Sequence, residues 1–385
     1  MRMRDLGYSP GVLPTGPKNS ILDVQGVSVG QTTIHEGDVH KGVTVIFPRP
    51  PDDIQTPCYA GIHTLNGNGE VTGAYQIKEW GITNTPLALT NSVSLGITHE
   101  AIWTWLLKHA RSRGQDDFAI SRNYGSPVVG ETCDWWLNDI EGSLLEKKHV
   151  MDAFEAAKTQ DSVLEGSYGG GTGMSCHQFK GGSGTSSRIV KGAAKDYTIG
   201  VMVQSNYGYM TDLQIGGVPI GMILAKEKKE EEQKKQDLPG PGRSADGSIV
   251  ILIITDAPLL PHQLTRLAQR ATIGLAQVGG HGTSRTHSGD IFVALSTANT
   301  PKEQLSSWGA RGGPRPAVQT YSGIEVVKNE SIDALFPAVA EATEEAILNS
   351  LVGAREGMSG HDGVHLPGFP VNRVKELLAK HLVKV

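Results

Sequence analysis

The segment SIVILIIT, from Ser248 to Thr255, constrains this chain more than any other. It is almost wholly apolar and rich in β-branched residues, which predicts a central strand covered on both faces. Such a strand requires layers of structure on either side. The chain just before it has the opposite character. KEKKEEEQKKQD, residues 226–237, is helix-prone but carries five lysines and five acids with no apolar face, so it must be solvated. LPGPGRSADG, residues 238–247, packs prolines among small turn-formers, as an exposed, easily nicked loop does. A charged flexible loop over 226–247 is therefore expected to abut a buried strand.

Elsewhere the pattern is mixed. Between Ile21 and Asn91, short β-rich pieces are broken by Gly, Asn and Pro, so strands dominate there. Ile102, Trp105, Leu106 and His109 recur at helical spacing within a predicted helix over 98–111, and a shorter helix is expected over 152–159. YTIGVMVQSNYG and GDIFVALST read as further strands. HQLTRLAQRATIGLAQVG reads as a helix with Leu264, Leu267, Ala271 and Leu275 on one stripe, and SIDALFPAVAEATEEAILNSLVGA as an amphipathic helix that Gly353 ends. Together these pieces predict a layered α+β domain.

Composition excludes several classes of function. Lys+Arg 35 against Asp+Glu 40, with no basic block, argues against a nucleic-acid partner. No apolar stretch is long enough to span a membrane, and the amino terminus lacks the apolar core of a signal peptide, so a cytoplasmic protein is expected. Cys58, Cys133 and Cys176 are odd in number and lack CxxC spacing, which fits a reducing compartment and gives no zinc site. His281, His287 and Asp290 match no established ligand spacing, so no metal is expected. Glycine is abundant, 48 of 385 residues, and densest over 165–188. The Walker order is absent there, so the glycines are expected to let backbone pass close to backbone rather than to bind nucleotide.

Gly247-Ser248 carries chemistry. A serine opening a buried strand, after glycine and a flexible loop, is where a chain can cut itself. Its hydroxyl can attack the preceding carbonyl, which glycine leaves sterically open, and hydrolysis of the resulting ester frees a serine with its own α-amine. That amine, with a reference pKa of about 7.7 to 8.0, is a usable general base near neutrality. An ordinary strand start after a linker is the competing reading.

Ordered blocks along nearly the whole chain resemble the L-aminopeptidase/D-esterase family, which includes the β-aminopeptidases. They include NSILDVQGVSVGQTT, AGIHTLNGNGEVTG, LTNSVSLG, VVGETCDWWLNDI, GGGTGMSCHQFKGGSGTSSR, VQSNYG, DGSIVILIITDAPLLPHQLTRLAQRA and HSGDIFVALST. The resemblance implies a four-layer αββα sandwich similar to amino-terminal nucleophile hydrolases. It also implies cleavage at Gly247-Ser248 into an α chain (1–247) and a β chain (248–385) of one folded domain, and assembly as a tetramer of αβ units. By resemblance Ser248 is the nucleophile, Ser288 and Asp290 orient it, and Asn206 donates to the oxyanion. Glu131 binds the substrate amine, with Trp135 and Asn138 in the same motif. The family's Glu-Thr-x-Asp-Gly reads here Glu131-Thr132-Cys133-Asp134-Trp135, and the bulk of Trp135 is expected to favour small amino-terminal residues. The implied activity is release of amino-terminal residues from short peptides, amides or esters bearing a free amine, without cofactor. Acyl transfer to an amine acceptor, as in the similarly folded ornithine acetyltransferases, and a non-catalytic assembly protein of the same fold are the alternatives.

Overall fold

A computed structural model describes residues 1–115, 124–141, 144–235, 247–281, 286–299, 318 and 322–383. Strands β1 (Ser28–Glu36), β2 (Val39–Phe47), β5 (Leu87–Asn91) and β6 (Val128–Thr132) form a four-stranded sheet in the order β1-β2-β5-β6. β3 (Cys58–Gly67) and β4 (Ile82–Thr83) join a second sheet with β9 (Gly182–Val190), β10 (Tyr197–Asn206), β11 (Ser248–Thr255) and β12 (Gly289–Ser296). Its order is β4-β3-β12-β11-β10-β9. A small hairpin of β7 (Ser175–Cys176) and β8 (Phe179–Lys180) stands apart from both sheets.

The SIVILIIT run is β11, buried along its whole length. Alternation assigns its side chains to two cores. Val250, Leu252 and Ile254 meet Ile46, Leu87 and Leu89 of the small sheet. Ile249, Ile251 and Ile253 face the other way, toward α5 (Pro261–Gln277) and α6 (Phe336–Gly353). On the far side of the small sheet, Val43, Val45 and Phe47 pack against α2 (Leu95–Ser112) and α3 (Lys147–Ala156). The layers therefore run helix, sheet, sheet, helix, the αββα arrangement.

Several expectations need correction. The charged run is not loop throughout: α4 (Ile220–Lys235) extends through residue 235. Its first turns bury Ile220 and Leu224, which anchor the helix, and Glu227 pairs with Arg373 of α7 (Val371–His381) at 2.6 Å. Residues 236–246 of the expected loop lie outside the described residues. The helix expected over 152–159 starts earlier, at Lys147, and ends at Ala156. α1 (Ala74–Trp80) and α7 had no predicted counterpart: α1 is only seven residues long, whereas α7 does bury an apolar stripe of Val374, Leu377 and Leu378 that the sequence reading passed over. α6 is not amphipathic. Glu344 and Glu345 are buried along with its apolar residues, because β9, α5 and the amino-terminal arm cover it from several sides.

Those buried acids are paired. Arg188 of β9 is fully buried, with Nη2 at 2.8 Å from Glu345 Oε2 and Nε at 3.0 Å from Glu341 Oε2. Arg4 and Asn19 each donate to Glu345 Oε1 at 2.6 Å. Burial opposes ionisation of Glu345, yet Arg4, Arg188 and Asn19 together hold its carboxyl below the ordinary range. The network ties the amino-terminal arm, β9 and α6 into one layer. Arg188→Met should cost about 3–5 kcal/mol, because it removes the one fully buried cation shared by Glu341 and Glu345 and leaves Glu345 to the partly exposed Arg4 and to Asn19. Calorimetric melting checks this, and a loss below about 1 kcal/mol would contradict the account.

Candidate active site

Three strand ends meet at one edge of the large sheet. Asn206, the last residue of β10, pairs with Ser248, the first of β11, while Asp290 of β12 stands level with Ile249. Strand pairing alone thus brings Asn206, Ser248, Ser288 and Asp290 together from distant parts of the chain. The ladder between β12 and β3 shifts register between Asp290 and Ile291, a bulge at this same edge.

Ser248 is nearly buried, and its Oγ accepts a hydrogen bond from the Gly289 N–H at 3.0 Å. Ser288 Oγ lies 2.5 Å from the Gly247 carbonyl oxygen and 3.0 and 2.9 Å from the two Asp290 carboxyl oxygens. One hydroxyl hydrogen can serve only one of these acceptors at a time, so the protonation of Asp290 decides where Ser288 points. Burial pushes Asp290 up to about 6, against the pull of hydrogen bonds from Ser288 and the Ile249 N–H. Gly247 is required by close approach: a Cβ there would lie 2.0 Å from the Asn206 carbonyl oxygen.

A cavity of about 490 Å³ opens on this edge, with Gly247, Ser248, Asn206, Glu131, Trp135 and His287 in its lining. Glu131, near the end of β6, has its Oε1 on the Glu70 N–H at 2.8 Å and its Oε2 on the Ser92 hydroxyl. Asn206 Oδ1 accepts from the Ser175 N–H at 2.9 Å, and its Nδ2 donates to the Cys133 carbonyl at 2.8 Å. That leaves the second Nδ2 hydrogen unassigned. Trp135 is 57% exposed, packed edge-on against Trp136, and forms the rim rather than the floor.

Asn138 does not line the cavity. It is fully buried behind the wall, where Oδ1 accepts from the His40 N–H at 2.9 Å and Nδ2 donates to Asp134 Oδ2 at 3.0 Å. Asp134 also accepts from Asn91 Nδ2 at 2.7 Å, and burial pushes its carboxyl up to about 7. These three residues brace the segment carrying Cys133 and Trp135. Ser92, Ser175, Gln178 and Tyr207 also line the cavity and were not singled out from sequence, although LTNSVSLG, GGGTGMSCHQFK and VQSNYG contain them. Among the described residues, no group of three His, Cys, Asp or Glu side chains is arranged to hold a metal ion.

Residues 19–366 match peptidase family S58. The chain belongs to that family. It is 37% identical over 392 residues to the β-peptidyl aminopeptidase BapA of Sphingosinicella microcystinivorans, covering 99% of this chain and 92% of that protein. A Burkholderia sp. β-aminopeptidase structure superposes with a TM-score of 0.83 at 41% identity, covering 100% of both chains. The L-aminopeptidase D-Ala-esterase/amidase of Ochrobactrum anthropi, described as a prototype serine aminopeptidase and a variant of the Ntn-hydrolase fold, gives a TM-score of 0.84 at 36% identity. That match covers 99% of this chain and 98% of the other. This S58 peptidase is accordingly a hydrolase, a serine aminopeptidase with an Ntn-like fold. Among its described residues, no helix is long and apolar enough to cross a membrane.

The raised pKa of Asp290 has a testable sign. A carboxyl whose folded pKa lies above its ordinary value contributes stability that is complete below about pH 4 and is lost as pH rises through about 6. Over that window the uncleaved chain should lose roughly 3 kcal/mol through this group, and Asp290→Asn should remove the loss. Denaturation of a cleavage-blocked chain at a series of pH values checks it. Equal pH dependence in the two proteins would return Asp290 to an ordinary surface-like carboxylate.

Proposed function

We propose that this chain cuts itself between Gly247 and Ser248 and that Ser248 then serves as the nucleophile of the aminopeptidase. The observation carrying the reading is the Gly247 carbonyl, held by Ser288 at 2.5 Å beside a cavity that also contains Ser248 and Glu131. In the self-cleavage step Ser248 Oγ bonds to the Gly247 carbonyl carbon, the C–N bond breaks, and the hydroxyl proton passes to the departing nitrogen. Water then hydrolyses the ester, leaving the Gly247 carboxylate and a free α-amine on Ser248. Ser288 polarises the carbonyl, and Asp290 takes up or returns the proton.

The same chemistry then runs on substrate. Ser248 Oγ takes the acyl group, its own α-amine handles the proton, the leaving amine departs, and water releases the product. Asn206 donates its amide to the oxyanion, and Glu131 pairs with the substrate's ammonium. Short peptides, amides or esters with a free amine are the substrates, and the relatives named as a β-peptidyl aminopeptidase and an L-aminopeptidase D-Ala-esterase/amidase support β-amino and L-amino residues at the amino terminus. The two chains remain together, because β11 lies inside the core, and they assemble as tetramers of αβ units. The three free cysteines fit a cytoplasmic setting.

Ser248→Ala should remain a single chain without activity, and intact-mass analysis checks this. Splitting at the same bond would refute an attack by that hydroxyl. Glu131→Gln should lower kcat/KM by roughly one to two orders of magnitude, the scale of one charge-assisted hydrogen bond, while self-cleavage proceeds. The control compares a peptide p-nitroanilide with its N-acetylated twin. Equal turnover of both would remove the requirement for a free amine.

A further inference from the structure

Lys180 is fully buried in the glycine-dense segment, and its Nζ donates to three backbone carbonyls: Met174 and Gly181 at 2.7 Å and Gly171 at 3.2 Å. An uncharged amine has two hydrogens and serves at most two of these acceptors; only the ammonium satisfies all three. Burial pushes the amine down to about 7, while Cys176 and Asp134 draw it back up. The other groups facing this site are themselves biased toward their neutral forms. Burial raises the Cys176 thiol and the Asp134 carboxyl and lowers His35. Lys180 is thus the charged centre of a cage built of carbonyl oxygens.

The cage encloses the base of the β7–β8 hairpin. Met174 O also accepts from the Gly181 N–H at 3.0 Å, which closes the hairpin. Its tip, His177-Gln178, holds two consecutive residues at φ of +50° and +62°, a left-handed turn that costs each non-glycine residue about 1–2 kcal/mol and needs outside support. The support comes from the β10 end: His177 N–H donates to the Tyr207 carbonyl at 2.7 Å, and the Met210 N–H donates to Gln178 Oε1 at 3.1 Å. The hairpin's first residue, Ser175, holds Asn206 Oδ1 and so fixes which way the Asn206 amide turns.

We propose that Lys180 is a positioning residue, whose ammonium gathers the Gly171, Met174 and Gly181 carbonyls and thereby sets the hairpin that aims the Asn206 amide at Ser248. This rests on the reading of Asn206 as the oxyanion donor. Lys180 touches neither substrate nor nucleophile, and its effect passes through Ser175 and Asn206.

The test is a double-mutant cycle on matured protein, with kcat counted per mature chain by intact mass. Lys180→Met should lower kcat about 100-fold, the scale of a lost oxyanion donor, with KM changed less than about threefold. Asn206→Ala should lower kcat by at least as much. The double variant should be no slower than Asn206→Ala alone within about threefold, because interacting residues are non-additive. Full multiplication of the two losses, or an unchanged kcat in Lys180→Met beside a slow Asn206→Ala, overturns the role of Lys180 alone. An unchanged kcat in Asn206→Ala overturns the oxyanion reading itself and the inference with it. Where Lys180→Met does not fold, Lys180→Gln keeps two donors and no charge and should lose about tenfold in kcat; no loss there overturns the proposal equally.

Discussion

The structure depends on the burial of β11 between two cores. Its alternating side chains satisfy the inter-sheet layer with one set and the helical layer with the other, so a slip of one residue would exchange the two faces. Register is therefore held by every apolar residue from Ile249 to Ile254. Because Ser248 is the first residue of that strand, the same packing sets the height of its hydroxyl relative to Asn206 on one neighbour and Asp290 on the other. A site assembled from three strand ends is thereby positioned by the core rather than by loops.

Burial also sets the electrostatics of the region. Burial pushes Asp290 and Asp134 up and Lys180 down, and each is met by hydrogen-bond partners within the fold. Glycine makes this possible where backbone crosses backbone. At Gly182, with φ of +136°, a Cβ would lie 2.1 Å from the Gly166 carbonyl oxygen, so only glycine lets β9 leave the hairpin there. The glycine-dense segment serves as close-packed scaffold around the cavity, as its lack of a phosphate-binding order suggested.

Much of this was legible in the residues. SIVILIIT announced a two-faced strand through composition alone, and the helix over Pro261–Gln277 announced itself through its apolar stripe. Periodicity failed where burial is all-round or where anchoring is brief. α6 hides its glutamates behind Arg4 and Arg188, partners far away in sequence, and α4 is held by two residues upstream of a run that reads as solvated. Motif resemblance pointed to residues on the strand ends and in the 131–138 segment but not to their placement. Asn138 braces the wall because its amide meets His40 and Asp134, and Trp135 stands at the rim; both facts depend on contacts across layers that no local pattern encodes.

One hydroxyl, that of Ser248, is proposed both to open the chain and to carry the acyl group. The most direct measurement is mass spectrometry of the protein after reaction with a serine-directed acylating agent bearing a free amine. The account predicts two chains of about 26 and 15 kDa, by scaling 41.1 kDa over 247 and 138 residues, with the adduct on the amino-terminal serine of the smaller one. An adduct on the larger chain, or a labelled and active chain of undivided mass, would contradict it.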